Sequence, residues 1–463
     1  MEGTDSSVLG TVTFALFAAG IGVLAGLGAV VFRYLIIFFN NLLFFGKISF
    51  ESGVTAQTSQ SPWGPFVILV PVAGALGVAF IAKYFTPQVI RSGIPDIMNA
   101  VYYPDGTLDK GLAFFRTVAA SISIGSGAPV GREGPIFQVG AALASTLGRY
   151  LSLPREQVRI LMAAGGAGGI AATFNTPVGG ILFSMELVLP DASIRDLIPL
   201  VVASGAATYV RHIFLGNQPY LFLATTAIPA SVESPFTLLL HALLGAMLGI
   251  TSAFFIKAVY TAADFFDNRL TSHYYISHSI GMLVVGILIY ATTVFFGQYY
   301  TIGGGLGTVE DILHGTISAV SILLAFFLLQ LLAASLALGS GASGGVLFPT
   351  LLIGAAFGEA FGIVLQALFP NLHLNPQAFA ISGMAGVFGS TTGAVFAAIV
   401  MIFEMTLDFY SLIPITVAVL IAYGVRRLVL KDSMYTLKLA LEGRPVPEAL
   451  DIDRPKSAGK DEE

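Results

Sequence analysis

The sequence predicts an all-α protein that crosses a membrane many times, and three observations lead there. Hydrophobic residues make up 55% of the 463 and charged residues only 11%, against about 25% charged in an ordinary soluble domain. Apolar runs near 8–39, 62–82, 197–215, 235–262, 276–297, 316–338 and 407–430 each approach or exceed the roughly 20 residues that a bilayer core requires. Glycine is abundant, at 52 residues, and small residues let helix backbones approach closely in lipid. Other classes drop out. With no cysteine, disulfide scaffolds, thiolate metal sites and cysteine nucleophiles are excluded. A net charge of -5 offers no electrostatic footprint for nucleic acid. No metal-ligand spacing or cofactor motif is evident, so no metal and no cofactor are expected.

The N-terminal MEGTDSS is acidic and lacks the positive region of a cleaved signal peptide. The first apolar run is also too long for one. Between the long runs lie shorter apolar stretches, at 111–124, 136–148, 157–172, 177–190, 350–369 and 393–405, bounded by Gly, Pro or a charge. Short, interrupted segments mark the broken helices of transporters, whose open backbone ends must face protein or water. The polar stretch after Arg426 carries Arg427, Lys431, Lys438 and Arg444 among other basic residues, which places the C-terminal tail on the cytoplasmic side by the positive-inside tendency. A tail of that length is expected to carry no further regulatory domain.

Internal repeats set the organisation. IGSGAPVGREGPIFQVGAALASTLG at 124–148 aligns without a gap to LGSGASGGVLFPTLLIGAAFGEAFG at 338–362, with 10 identities in 25 positions. A second pair, 163–187 and 381–405, follows in the same order and places Glu186 opposite Glu404. The chain therefore reads as two related halves, about 8–215 and 235–440, with a polar tail over 441–463. Such halves put a binding site at their interface, near mid-membrane.

Three Gly/Pro turns, Ser92-Gly93-Ile94-Pro95-Asp96, GREGP at 131–135 and GGVLFP at 344–349, each precede a helical segment. A helix N-terminus presents unpaired N–H groups and about half a positive charge. Several aimed at one point bind an anion without the full charge that would hold it too tightly to move. Glu133 stands out there. An isolated carboxylate at membrane depth costs roughly 2.5–3.5 kcal/mol on insertion scales and is usually functional. Its counterpart in the second repeat is Leu347, so the architecture does not demand an acid. A carboxylate is an anion on a tether, attracted by the same helix ends as a free one, and protonation would release the site.

Ser92-Gly93-Ile94-Pro95, Gly131-Arg132-Glu133-Gly134-Pro135, Gly345-Val346-Leu347-Phe348-Pro349 and Tyr435 in KDSMYTLKL resemble, in order and spacing, the signature motifs of the CLC chloride channel and transporter family. The resemblance runs from about residue 10 to 440. It implies about 18 helices in two inverted halves, a homodimer in membrane lipid with one pore per subunit, and chloride as substrate. It would place Ser92, Gly93, Val346, Leu347 and Tyr435 around the central chloride. Arg132, Glu133, Gly134 and Phe348 would form an outer anion site, with Glu133 as gate and proton acceptor. A prokaryotic inner membrane is the expected location, with no C-terminal CBS domains.

Three departures from the family pattern matter. Arg91 stands where a glycine usually precedes the serine, and Leu347 replaces a common aromatic. Leu187 occupies the position of the second glutamate that proton-coupled members generally carry. That last change favours passive, channel-like conduction over chloride/proton antiport, with Glu186 as the one candidate for a substitute inner proton station. An enzyme reading rests on Gly341-Ala342-Ser343-Gly344, which matches the GxSG of rhomboid intramembrane proteases. Its only downstream histidine is His373, in a loop-like segment, and the repeat equivalent of Ser343 is Pro129. No enzymatic activity is expected.

Overall fold

The computed structural model describes residues 2–51, 61–90, 93–103, 108, 111–189, 193–221, 234–270, 273–300 and 302–450. Among them are seventeen α-helices, α1 to α17 in chain order, and no strand beyond one isolated bridge. Eight helical spans are long and apolar enough to cross a membrane, which makes this an integral, multi-pass membrane protein. Seven coincide with the long apolar runs. The eighth is α13 (Leu347–Leu368), where the sequence suggested only a short, interrupted stretch. Gly354, Gly358 and Glu359 dilute its hydrophobicity, yet all three are buried against protein, so the helix continues through them. Along α9 (Pro235–Asp264), Leu239, Leu243, Ile250 and Phe254 are exposed while Leu240, Leu244 and Leu248 are buried. That two-sided apolar helix is what a lipid-facing element of a bundle requires.

The packing of α1–α8 recurs eight helices later. Helix α1 packs on α4, α6 and α8, and α9 packs on α12, α14 and α16. Within the repeats identified from the sequence, α5 (Glu133–Tyr150) lies on α6 (Arg155–Phe174) as α13 lies on α14 (Pro376–Thr392). Glycine explains both contacts. A Cβ on Gly140 would strike the Gly165 carbonyl, and one on Gly354 would strike that of Gly383. These crossings bring backbone onto backbone, which only a residue without a side chain allows.

The loops ahead of α5 and α13 are shaped by a second equivalent pair. Gly127 closes α4 (Leu112–Gly125) at φ +94, and Gly341 caps α12 (Val320–Ser340) at φ +112. Both sit in the left-handed region that glycine tolerates and other residues resist. Each reverses the chain so that the next helix starts inside the protein rather than at its surface.

Candidate anion site

Four helices begin around one cavity of about 310 Å³. They are α3 (Ile94–Tyr102), α5, α13 and α17 (Met434–Leu441). Gly93, Pro95, Gly134, Gly345, Val346 and Tyr435 are among the lining residues. The two repeat loops are tied by an antiparallel pair. Gly131 N–H donates to the Gly345 carbonyl at 2.7 Å, and Gly345 N–H to that of Gly131 at 2.8 Å. The pairing satisfies groups that would otherwise be orphaned at depth. It also leaves the first amides of α5 and α13 directed at shared space.

Glu133 occupies that space. Its side chain is fully buried, and Oε1 accepts the Leu347 N–H at 2.7 Å. One repeat's carboxylate therefore rests on the other repeat's helix N-terminus. Oε2 has no hydrogen-bond partner among the described residues. Leu347 contributes its backbone, so the loss of an aromatic at that position leaves the contact intact. The Tyr435 hydroxyl is likewise buried without a partner among the described residues, an uncommitted donor on the cavity wall. Gly93 N–H, by contrast, is taken by Asp96 Oδ2 at 2.8 Å. Ser92 and Arg91 lie outside the described residues.

The second group of expected residues forms a cationic–aromatic cluster beside Glu133. The Arg132 guanidinium stands 5.4 Å from the Phe348 ring centre. Phe348 is buried edge-on to Phe174 and stacked with Tyr220. A planar guanidinium over a ring is held partly by cation–π attraction.

Sequence reasoning missed Arg116. It is fully buried, and its Nη1 donates to the Val89 carbonyl at 2.7 Å and to Ser343 Oγ at 3.0 Å. A charge in the middle of the apolar stretch 111–124 was the available signal, because such residues seldom lie in membranes without a task. The same bond bears on the GxSG motif. Ser343 is buried against a guanidinium, whereas His373 lies exposed in its loop, so the two are not assembled as nucleophile and base.

Glu186 has a different setting. Its two oxygens accept the N–H groups of Phe396 (2.9 Å) and Ala397 (2.7 Å), at the start of α15 (Val395–Thr406). Glu404, near the end of α15, accepts those of Val178 (3.0 Å) and Gly179 (2.7 Å), at the start of α7 (Pro177–Val188). Two short antiparallel helices thus cap each other's N-termini with carboxylates from their last turns. Each cap satisfies two orphan amides that neither lipid nor the helix itself could serve. Glu186→Gln, which keeps one acceptor oxygen, should cost about 1 kcal/mol of stability. Glu404→Ala, which removes both, should cost about 1–3 kcal/mol. Thermal unfolding in detergent measures both, and an unchanged midpoint for Glu404→Ala would refute the capping role.

A family model described as "Voltage gated chloride channel" matches residues 73–427. A "Putative chloride channel protein ClcB-like" of Ralstonia nicotianae is 31% identical over 395 residues, spanning 84% of this chain and 89% of its own. An "H(+)/Cl(-) exchange transporter ClcA" of Vibrio parahaemolyticus is 30% identical over 434 residues, spanning 91% and 88%. Among solved structures, that of "a slow cyanobacterial Cl-/H+ antiporter" superposes with a TM-score of 0.78 at 23% identity, over 93% of this chain and 97% of that one. It shares the fold.

Proposed function

The chain belongs to the voltage-gated chloride channel family, and from that premise we propose that it carries chloride across a membrane in exchange for protons. The observation that carries this reading is the buried Glu133 carboxylate on the Leu347 amide. It is an anion seated where another anion can replace it. Protonation cancels its charge, weakens its hold on the helix ends and opens the site to chloride. The same group thus alternates between taking a proton and yielding to chloride, which is the elementary requirement of exchange.

The expectation of passive conduction, drawn from Leu187, gives way here. The Vibrio relative, aligned over 91% of this chain, is named an exchange transporter. Leu187 is buried and apolar, so protons reach Glu133 by water in the cavity rather than through that side chain. In this reading Glu186 serves α15 as a cap. Central chloride lies among Ser92, Gly93, Val346, Leu347 and Tyr435, and the outer anion beside Arg132, Gly134 and Phe348. The functional unit is a homodimer of chains, each with halves 8–215 and 235–440, in a prokaryotic inner membrane with the tail cytoplasmic.

A chloride gradient imposed on proteoliposomes tests the reading. It should drive protons uphill, and Glu133→Gln should stop the protons while chloride continues. Chloride movement in the unaltered protein with no proton movement would overturn exchange. Under the same gradient Glu186→Gln should still pump protons. If pumping ceased while chloride flux persisted, Glu186 would be the inner proton station instead of a cap.

A further inference from the structure

Helices α3 and α17 have only 9 and 8 residues, too few to persist by their own hydrogen bonds. Both present their first residues to the anion cavity, so something else must fix their spacing. The chain that follows α17 does so at two ends. At one, Arg444 Nη1 donates to Asn99 Oδ1 of α3 at 2.9 Å. Its guanidinium lies 5.4 Å from the ring centre of Tyr103, whose hydroxyl donates to the Pro445 carbonyl at 3.0 Å. At the other end, Glu448 Oε2 pairs with the fully buried Arg426 at 2.7 Å. Its Oε1 accepts the N–H of Ser433, the residue that caps α17, also at 2.7 Å.

Between the two ends, Lys438 of α17 meets Asp96 of α3 at 3.0 Å. This is the same Asp96 that holds the Gly93 amide. That ion pair is partly exposed and contributes little by itself. The Glu448–Arg426 pair is different. It is dry, and its removal would leave the buried Arg426 charge without its counter-ion and the Ser433 amide with Thr436 Oγ1 alone.

We propose that residues 444–448 are a clasp that holds α3 and α17 at the spacing an anion needs, with Arg444 and Glu448 as positioning residues for chloride. The inference rests on the reading of the cavity as the chloride site. Arg444 sets the α3 side and Glu448 the α17 side, and neither touches the ion.

The test uses full-length Arg444→Ala, Arg444→Lys and Glu448→Gln in lipid, with two readouts. The first is amide hydrogen–deuterium exchange. Arg444→Ala and Glu448→Gln should speed exchange in α3 and α17 while α5 and α13 keep their protection. The second is the chloride concentration that half-saturates flux. It should rise about tenfold in Arg444→Ala, the factor expected for losing one charge-assisted hydrogen bond. Arg444→Lys should recover most of that loss, because it keeps a cationic donor for Asn99. The pH response set by Glu133 should persist throughout. Unchanged exchange in α3 and α17, or a loss of protection spread evenly over the protein, would overturn the clasp. So would local loosening with unaltered half-saturation. Should Glu448→Gln fail to fold, Arg444→Ala, at the partly exposed end, decides. If the unaltered protein carries no chloride, the transport reading fails, and the exchange pattern of α3 and α17 alone judges the clasp.

Discussion

Glu133→Gln should raise chloride flux at neutral pH, remove its dependence on pH and uncouple chloride from protons. The ionised carboxylate accepts a buried backbone N–H at 2.7 Å, and a hydrogen bond to a charged group contributes about 1.5–3 kcal/mol. That energy corresponds to roughly a ten- to hundredfold preference for the occupied state, the most that an uncharged side chain could relieve. In the unaltered protein, flux should climb as pH falls, because protonation removes the charge that competes with chloride. Glutamine has nearly the same shape and no charge at any pH, so the variant should show the high-flux behaviour throughout. Radiotracer or electrode-based efflux from proteoliposomes across a pH series measures this. A variant that keeps the flux and pH profile of the unaltered protein would remove Glu133 from the gate.

Gly345→Ala should release the same site while Glu133 stays in the sequence. A Cβ at position 345 falls directly on the Glu133 carboxylate. The obstructed atoms are the far end of a flexible side chain rather than backbone, so the carboxylate can swing aside and the fold can stay. Gly345 is not among the glycines with positive φ, and alanine therefore brings no backbone strain there. Flux at neutral pH should rise toward that of Glu133→Gln, about tenfold if the Leu347 bond is lost completely. Proton coupling should weaken at the same time. Because Glu133 remains titratable, some pH dependence should survive, and this separates a displaced gate from a deleted one. A Gly345→Ala protein with unchanged flux at neutral pH would mean that the carboxylate does not need the position it occupies.

The expectation about Leu187 shows how little a single residue decides. Its apolar character is real, and the structure keeps it buried. Yet one side chain specifies only that protons do not pass through that side chain. Whether water reaches Glu133 by another path depends on the cavity, which no local pattern describes. Glu186 and Glu404 make the complementary point. Their alignment across the repeats was visible, but two aligned acids could have been proton stations, a shared pair or caps. The sequence does not show that each carboxylate lies across the two-helix pair, on amides about 210–226 residues away.

What the sequence determined by itself was the helical membrane class, the duplicated segments, and the Gly/Pro turns that start α3, α5 and α13. All of these are local: hydropathy over about 20 residues, glycine ahead of a helix start, proline in a first helical turn. The tertiary structure decided what those helix ends face. It laid Glu133 on Leu347 and placed Arg116 behind Ser343. It also closed the Arg444–Glu448 segment over α3 and α17. Contacts of this kind join residues far apart in the chain, so no periodicity or composition encodes them. They exist because buried amides, carboxylates and guanidinium groups must find one another wherever neither lipid nor water can serve them.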